Sequence, residues 1–166
     1  METITIRGGA KKERYEELLP QLASLLAGED DEIANLANVS AALAGTFSHF
    51  LWVGFYLLKG GVLVLGPFQG KVACTRIRMG KGVCGTAAAK RRTLVVREVS
   101  EFPGHIVCDP DSRSEIVVPM IRGTDLLGVL DVDSGEVGAF DDLDRAYLER
   151  IVSQLLMPSM SPRTNN

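Results

Sequence analysis

Two runs of apolar and β-branched residues, 116–121 and 126–133, flank Arg122-Gly123-Thr124-Asp125 and constrain the fold more than any other part of the chain. Their composition and the turn between them predict a β-hairpin. Side chains alternate between faces with a period of two. With Ile121 opposite Leu127 beside the turn, counting outward by twos pairs Pro119 with Val129, Val117 with Asp131, and Glu115 with Asp133. Three carboxylates, Glu115, Asp131 and Asp133, therefore gather on one face at the end far from the turn. Opposed like charges on a sheet repel, and burial raises the pKa of at least one of them. A bound cation or ammonium would offset that cost.

The remaining pattern supplies helices and more strands. Residues 11–27 carry Tyr15, Leu18, Leu22, Leu25 and Leu26 at helical spacing, with a kink or break expected at Pro20. Asp30 and Asp31 suit the start of a second helix that buries Ile33, Leu36, Ala37, Ser40, Leu43, Ala44 and Phe47. Strands are expected at 51–58 and 62–65 around Gly60-Gly61, and at 94–97. A short helix at 83–91 follows Gly80-Lys81-Gly82, and Asp141 caps a last helix carrying Leu143, Tyr147, Ile151 and Leu155. The result is an α+β domain over residues 1–158 with a flexible C-terminal tail over 159–166. Residues 66–113 are too many for a plain connection, and such segments are usually functional.

Several functional classes recede. A net charge of -3, with Lys90-Arg91-Arg92 as the one basic cluster, argues against nucleic acid. No apolar run approaches the ~18 residues of a membrane span, and the N-terminus lacks a signal-peptide core. A cytoplasmic protein with reduced thiols is expected. Its three cysteines, Cys74, Cys84 and Cys108, are then catalytic, metal-binding or inert. Zinc held by Cys74, Cys84, Cys108 and His105 would lack any Cys-x-x-Cys pair, and neither metal nor cofactor is expected. Gly80-x-Gly82-x-x-Gly85 has no βαβ unit around it and reads as a turn into a helix, whose free N–H groups would suit a substrate carboxylate. Trp52, Gly54 and Tyr56 share one strand face, the glycine leaving an opening for a ligand. Cys108 lies in His105-Ile106-Val107-Cys108-Asp109-Pro110, where acidic neighbours disfavour the thiolate. His105, Arg113 or a substrate ammonium would reverse that.

Taken together, Trp52-Val53-Gly54-Phe55-Tyr56, Gly66-Pro67-Phe68-Gln69-Gly70, Ala73-Cys74-Thr75-Arg76-Ile77, Gly82-Val83-Cys84-Gly85, the Cys108 loop, Ser114-Glu115-Ile116 and Asp131-Val132-Asp133-Ser134 resemble the stand-alone GAF-domain family of free methionine (R)-sulfoxide reductases. The resemblance implies a GAF-like central antiparallel sheet, with helices on one face and a long loop region covering a ligand pocket on the other. It also implies reduction of free methionine-(R)-sulfoxide in defence against oxidative stress. In that reading Cys108 is the nucleophile, Cys74 the resolving thiol and Cys84 an auxiliary resolver. Trp52, Tyr56, Glu115, Asp131 and Asp133 bind substrate, and thioredoxin reduces the redox-active disulfide. Family members are often homodimers. The alternative is a small-molecule-sensing GAF module without catalysis.

Overall fold

A computed structural model describes residues 3–157, so the tail expected from 159 onward lies outside the described residues. In chain order the elements are α1 (Lys11–Leu26), α2 (Glu32–Thr46), β1 (Trp52–Lys59), β2 (Val62–Gln69), β3 (Arg76–Arg78), α3 (Gly82–Lys90), β4 (Leu94–Val96), β5 (Ser114–Arg122), β6 (Asp125–Ser134) and α4 (Asp142–Leu156). The strands form one sheet in the order β3-β2-β1-β6-β5-β4, antiparallel at every pairing. This is a mixed α+β architecture with a central antiparallel sheet, as the resemblance implies.

Strand alternation explains why both faces are covered. Val53 and Phe55 of β1, Ile116 and Val118 of β5, and Leu130 and Val132 of β6 point one way. They pack against Leu18 and Leu22 of α1, Leu43 of α2, and Leu148 and Ile151 of α4. The residues between them, Trp52, Tyr56, Val117 and Val129, point the other way and meet Val83, Cys84, Ala87 and Ala88 of α3. Helices are therefore not confined to one face, because α3 helps the loops cover the second. Small residues let it approach: a Cβ on Gly85 would lie 2.2 Å from the Arg78 carbonyl oxygen.

Local departures from expectation have local causes. Helix α1 runs unbroken through Pro20; both Pro20 and Glu16, whose carbonyl loses its helical partner there, are exposed residues. Asp31 caps α2 by accepting from the Ala34 amide at 2.9 Å. The buried stripe of α2 is Leu36, Val39, Ser40, Ala42, Leu43 and Thr46, leaving Ile33 and Ala37 exposed. Strand β2 continues through Gly66-Pro67 to Gln69 because these two residues sit opposite Phe55 alone, in a bulge between the Gly54–Phe68 and Tyr56–Leu65 pairs. In the β5–β6 hairpin, Glu115–Asp133, Val117–Asp131 and Pro119–Val129 pair as counted. Beside the turn a second bulge sets Ile121 opposite Leu126 and not Leu127.

Candidate active site

The hairpin register places Glu115, Asp131 and Asp133 on the α3 face of the sheet, and the β1–β6 register brings Trp52 opposite Asp133 and Gly54 opposite Asp131. Two loops close over this face. One, between β2 and β3, carries Cys74; the other, between β4 and β5, carries Cys108. A disulfide joins these cysteines, with Cα atoms 5.5 Å apart. Beneath it is a cavity of about 40 Å³ lined by Trp52, Tyr56, Cys84, Cys108, Glu115, Asp131 and Asp133, together with Asp109, Ser112, His105 and the first turn of α3. Among the expected catalytic and substrate-binding residues, Cys74 alone does not line it, and reaches it through its bond to Cys108.

Glu115 and Asp131 are buried, each 6% exposed, and Asp133 is half-buried. Burial pushes the Glu115 carboxyl well above its usual range, and the charges of Asp131 and Asp133 push it further. Burial likewise raises Asp131, to about 6. Asp133 is raised by burial and by Asp131, although the Ser112 hydroxyl donates to its Oδ1 and partly offsets the shift. The Cys84 thiol donates to Glu115 Oε1 at 3.7 Å and is pushed up by burial and by the charges of Asp131 and Glu115. Glu115, Asp131 and Cys84 thus crowd together in a pocket that disfavours accumulated negative charge.

Trp52 and Tyr56 do more than wall the cavity. The Trp52 indole donates to the Lys71 carbonyl at 3.1 Å, and the Tyr56 hydroxyl donates to the Cys74 carbonyl at 3.0 Å. The aromatic pair therefore pins the backbone of the Cys74 loop. The opening expected over Gly54 is filled by protein. The Trp52 ring covers it and lies against Phe68, at a centroid distance of 5.4 Å, and a Cβ on Gly54 would come within 2.3 Å of Phe68 Cβ. Neither basic side chain proposed to activate Cys108 is positioned as a cation beside it. Arg113 pairs with Glu98 at 2.7 Å, and burial lowers the His105 pKa so that the imidazole is neutral at pH 7.

Sequence reasoning missed three polar residues here. Asp109 accepts from the Asp111 amide through Oδ1, whereas its Oδ2 is buried without a protein hydrogen-bond partner. Ser112 holds Asp133. Lys71 pairs with Asp111 and, at 3.5 Å, with Asp109, clipping the Cys74 loop to the Cys108 loop. The adjacency of Asp109 to Cys108 was the one available signal, since strand periodicity does not extend into loops. Because the Lys71 clip is exposed, it weakens with salt. Lys71→Ala should slow formation of the Cys74–Cys108 disulfide severalfold at low ionic strength and less at high. Stopped-flow emission of Trp52, the single tryptophan, would follow the loop; equal rates at both salt concentrations would remove the clip from this role.

The GAF domain family profile matches residues 31–157. Among relatives, "GAF domain-containing protein A" of Dictyostelium discoideum is 54% identical over 93% of this chain and 98% of its own length. The free methionine-R-sulfoxide reductase of Escherichia coli is 48% identical over 87% of this chain and 88% of its own. The X-ray structure of free methionine-R-sulfoxide reductase from Neisseria meningitidis in complex with its substrate aligns with a TM-score of 0.92 and 46% identity, covering 94% of each chain. No helix among the described residues is long and apolar enough to cross a membrane. The chain belongs to the GAF-domain family and, within it, to the group of free methionine-R-sulfoxide reductases.

Proposed function

We propose that the protein reduces free L-methionine-(R)-S-oxide to L-methionine through a cysteine sulfenic acid and a disulfide. One observation carries the reading: a joined cysteine pair roofs a cavity walled by three carboxylates, two of them buried, and two aromatic rings. Cys108 is assigned as nucleophile because its side chain lines the cavity, and Cys74 as resolving thiol because it bonds to Cys108 from outside. The substrate ammonium lies among Glu115, Asp131 and Asp133 and relieves their repulsion. Trp52 and Tyr56 flank the thioether end.

The Cys108 thiolate attacks the sulfoxide sulfur, and a protonated pocket acid supplies a proton to the oxygen. The hydroxyl passes from the substrate sulfur to the Cys108 sulfur. The substrate S–O bond and the transient S–S bond break, and a new S–O bond forms on Cys108. Methionine leaves with the electron pair on its sulfur, and Cys108 is left as a sulfenic acid. The Cys74 thiol then attacks Cys108 and water departs, leaving the disulfide. Methionine sulfoxide gains two electrons and the thiol pair loses two. With the disulfide formed, the cavity of about 40 Å³ holds only a few water-sized groups. Substrate therefore enters the reduced protein, whose two loops are held only by the exposed Lys71 ion pairs and no longer by the disulfide.

A dithiol reductant of the thioredoxin class completes the cycle by exchange. Val72, Ile106 and Val107, at 89%, 37% and 65% exposure, are half of the six large apolar side chains exposed among the described residues. All three lie within two positions of Cys74 or Cys108 and offer an apolar surface around the disulfide. The reading places the protein in the cytoplasm, where such reductants act, and includes a homodimer in which each subunit's pocket is complete in itself.

The test uses purified protein with dithiothreitol. Free L-methionine-(R)-sulfoxide should be consumed, while the (S) epimer and peptide-bound methionine sulfoxide are left untouched, because peptide bonds remove the ammonium and the carboxylate. No turnover of the free (R) epimer would return the protein to the sensing-module reading.

A further inference from the structure

We infer that Cys84, Glu115 and Asp131 form a site for a thiophilic divalent cation, zinc being the best match, which competes with the amino acid for the pocket. One donor atom from each residue lies within 4.8 Å of the other two. The measured edge, Cys84 Sγ to Glu115 Oε1, is 3.7 Å. A tetrahedral zinc with bonds of ~2.3 Å to sulfur and ~2.0–2.2 Å to oxygen needs an edge of roughly 3.5 Å. Independently, Asp131 Oδ1 is buried and has no hydrogen-bond partner in the protein.

The donors come from the first turn of α3 and from two paired strands, β5 and β6, so the set is held by regular elements and little movement is needed to close it. One sulfur and two carboxylates suit zinc, whereas magnesium and calcium require more ligands, all of them oxygen. The fourth position opens on the cavity, whose volume of about 40 Å³ accepts an ion with its water even while the Cys74–Cys108 disulfide is closed. This set differs from the cysteine–histidine set weighed in the sequence, since the disulfide removes Cys74 and Cys108 as ligands. The cation occupies the place of the substrate ammonium; that competition rests on the reductase reading, but binding itself does not.

The experiment titrates zinc against a chromogenic chelator, using protein oxidised at Cys74–Cys108 and free of reductant, so that Cys84 is the one free thiol. Cobalt serves as the spectroscopic probe. We expect one equivalent bound and a sulfur-to-cobalt charge-transfer band with tetrahedral visible bands; in the reduced protein, whose pocket admits the amino acid, L-methionine should weaken zinc affinity beyond its own chelation of the metal. Cys84→Ser should remove the charge-transfer band, and Cys84→Ser, Glu115→Gln and Asp131→Asn should each weaken zinc binding at least ~10-fold. Absence of saturable binding, or unaltered affinity in the three variants, would overturn the site. Zinc bound without any methionine sulfoxide turnover would support the site and count against the reductase reading; turnover without zinc binding would do the reverse.

Discussion

Cys108→Ser is expected to release no methionine even in a single turnover, a loss on the order of 10³-fold or more, because no second thiol faces the reacting sulfur in the same way. Cys84 also lines the cavity, but its thiol is fully enclosed, donates to Glu115 and is held protonated by burial and acidic neighbours. The nucleophile must reach the substrate sulfur, so the enclosed Cys84 begins at a disadvantage of access that Cys108, on a partly exposed loop, does not share. Cys74→Ser separates the two stages. It should release about one equivalent of methionine and stop with Cys108 as a sulfenic acid, detectable by mass spectrometry after dimedone trapping. Undiminished thioredoxin-driven cycling in Cys74→Ser would deny that residue its resolving role, and methionine release by Cys108→Ser would move the attack elsewhere.

The acids of this site are legible in the sequence because strand periodicity carries side-chain direction over distance. Counting by twos from the turn places Glu115 opposite Asp133 although a bulge at Leu126-Leu127 disturbs the first pair, since the bulge is confined to the turn end. Where no period operates, the signal fades. Arg76-Ile77-Arg78 holds one apolar residue between two charges and looks like loop, yet it pairs with Val62–Val64 at the edge of the sheet. The buried stripe of α2 is misjudged at Ile33, which is apolar yet 52% exposed, and at Ala37, because the helix turns Leu36, Val39 and Leu43 inward instead. Trp52, Gly54 and Tyr56 are correctly placed on one face, but the ring that fills the gap over Gly54 comes from Trp52 and Phe68 themselves. A contact between strand neighbours of unlike size is a packing fact that alternation does not encode. Asp109, Ser112 and Lys71 act from loops whose paths are set by the disulfide and the ion pairs across them, so only coordinates bring them to the site.

Removing a charge from the acid cluster should make the substrate-free protein more stable and the enzyme worse. The Asp131 carboxyl moves from the ordinary aspartate range, ~4, to about 6, mainly through burial. Each pKa unit corresponds to ~1.4 kcal/mol, so ionised Asp131 costs the folded state roughly 2–3 kcal/mol at neutral pH. The folded protein binds protons more tightly than the unfolded chain at this residue. Its contribution is therefore fully present below about pH 4 and is lost as pH rises through about 6, with Glu115 and Asp133 shifting in the same direction. Melting temperature should fall across that window in the free protein. In Asp131→Asn the fall should be shallower and the value at pH 7 higher by about 5–10 °C, at ~2–4 °C per kcal/mol for a chain of this size. The same substitution removes a charged partner of the substrate ammonium, worth roughly 1.5–3 kcal/mol, so substrate binding should weaken about 10- to 100-fold. Saturating L-methionine should flatten the pH dependence of the unsubstituted protein, since its ammonium supplies the charge that low pH otherwise supplies as protons. An Asp131→Asn variant that melts as the unsubstituted protein does across pH 4–8, and binds substrate equally well, would show that these carboxylates are not held under electrostatic strain for the amino acid.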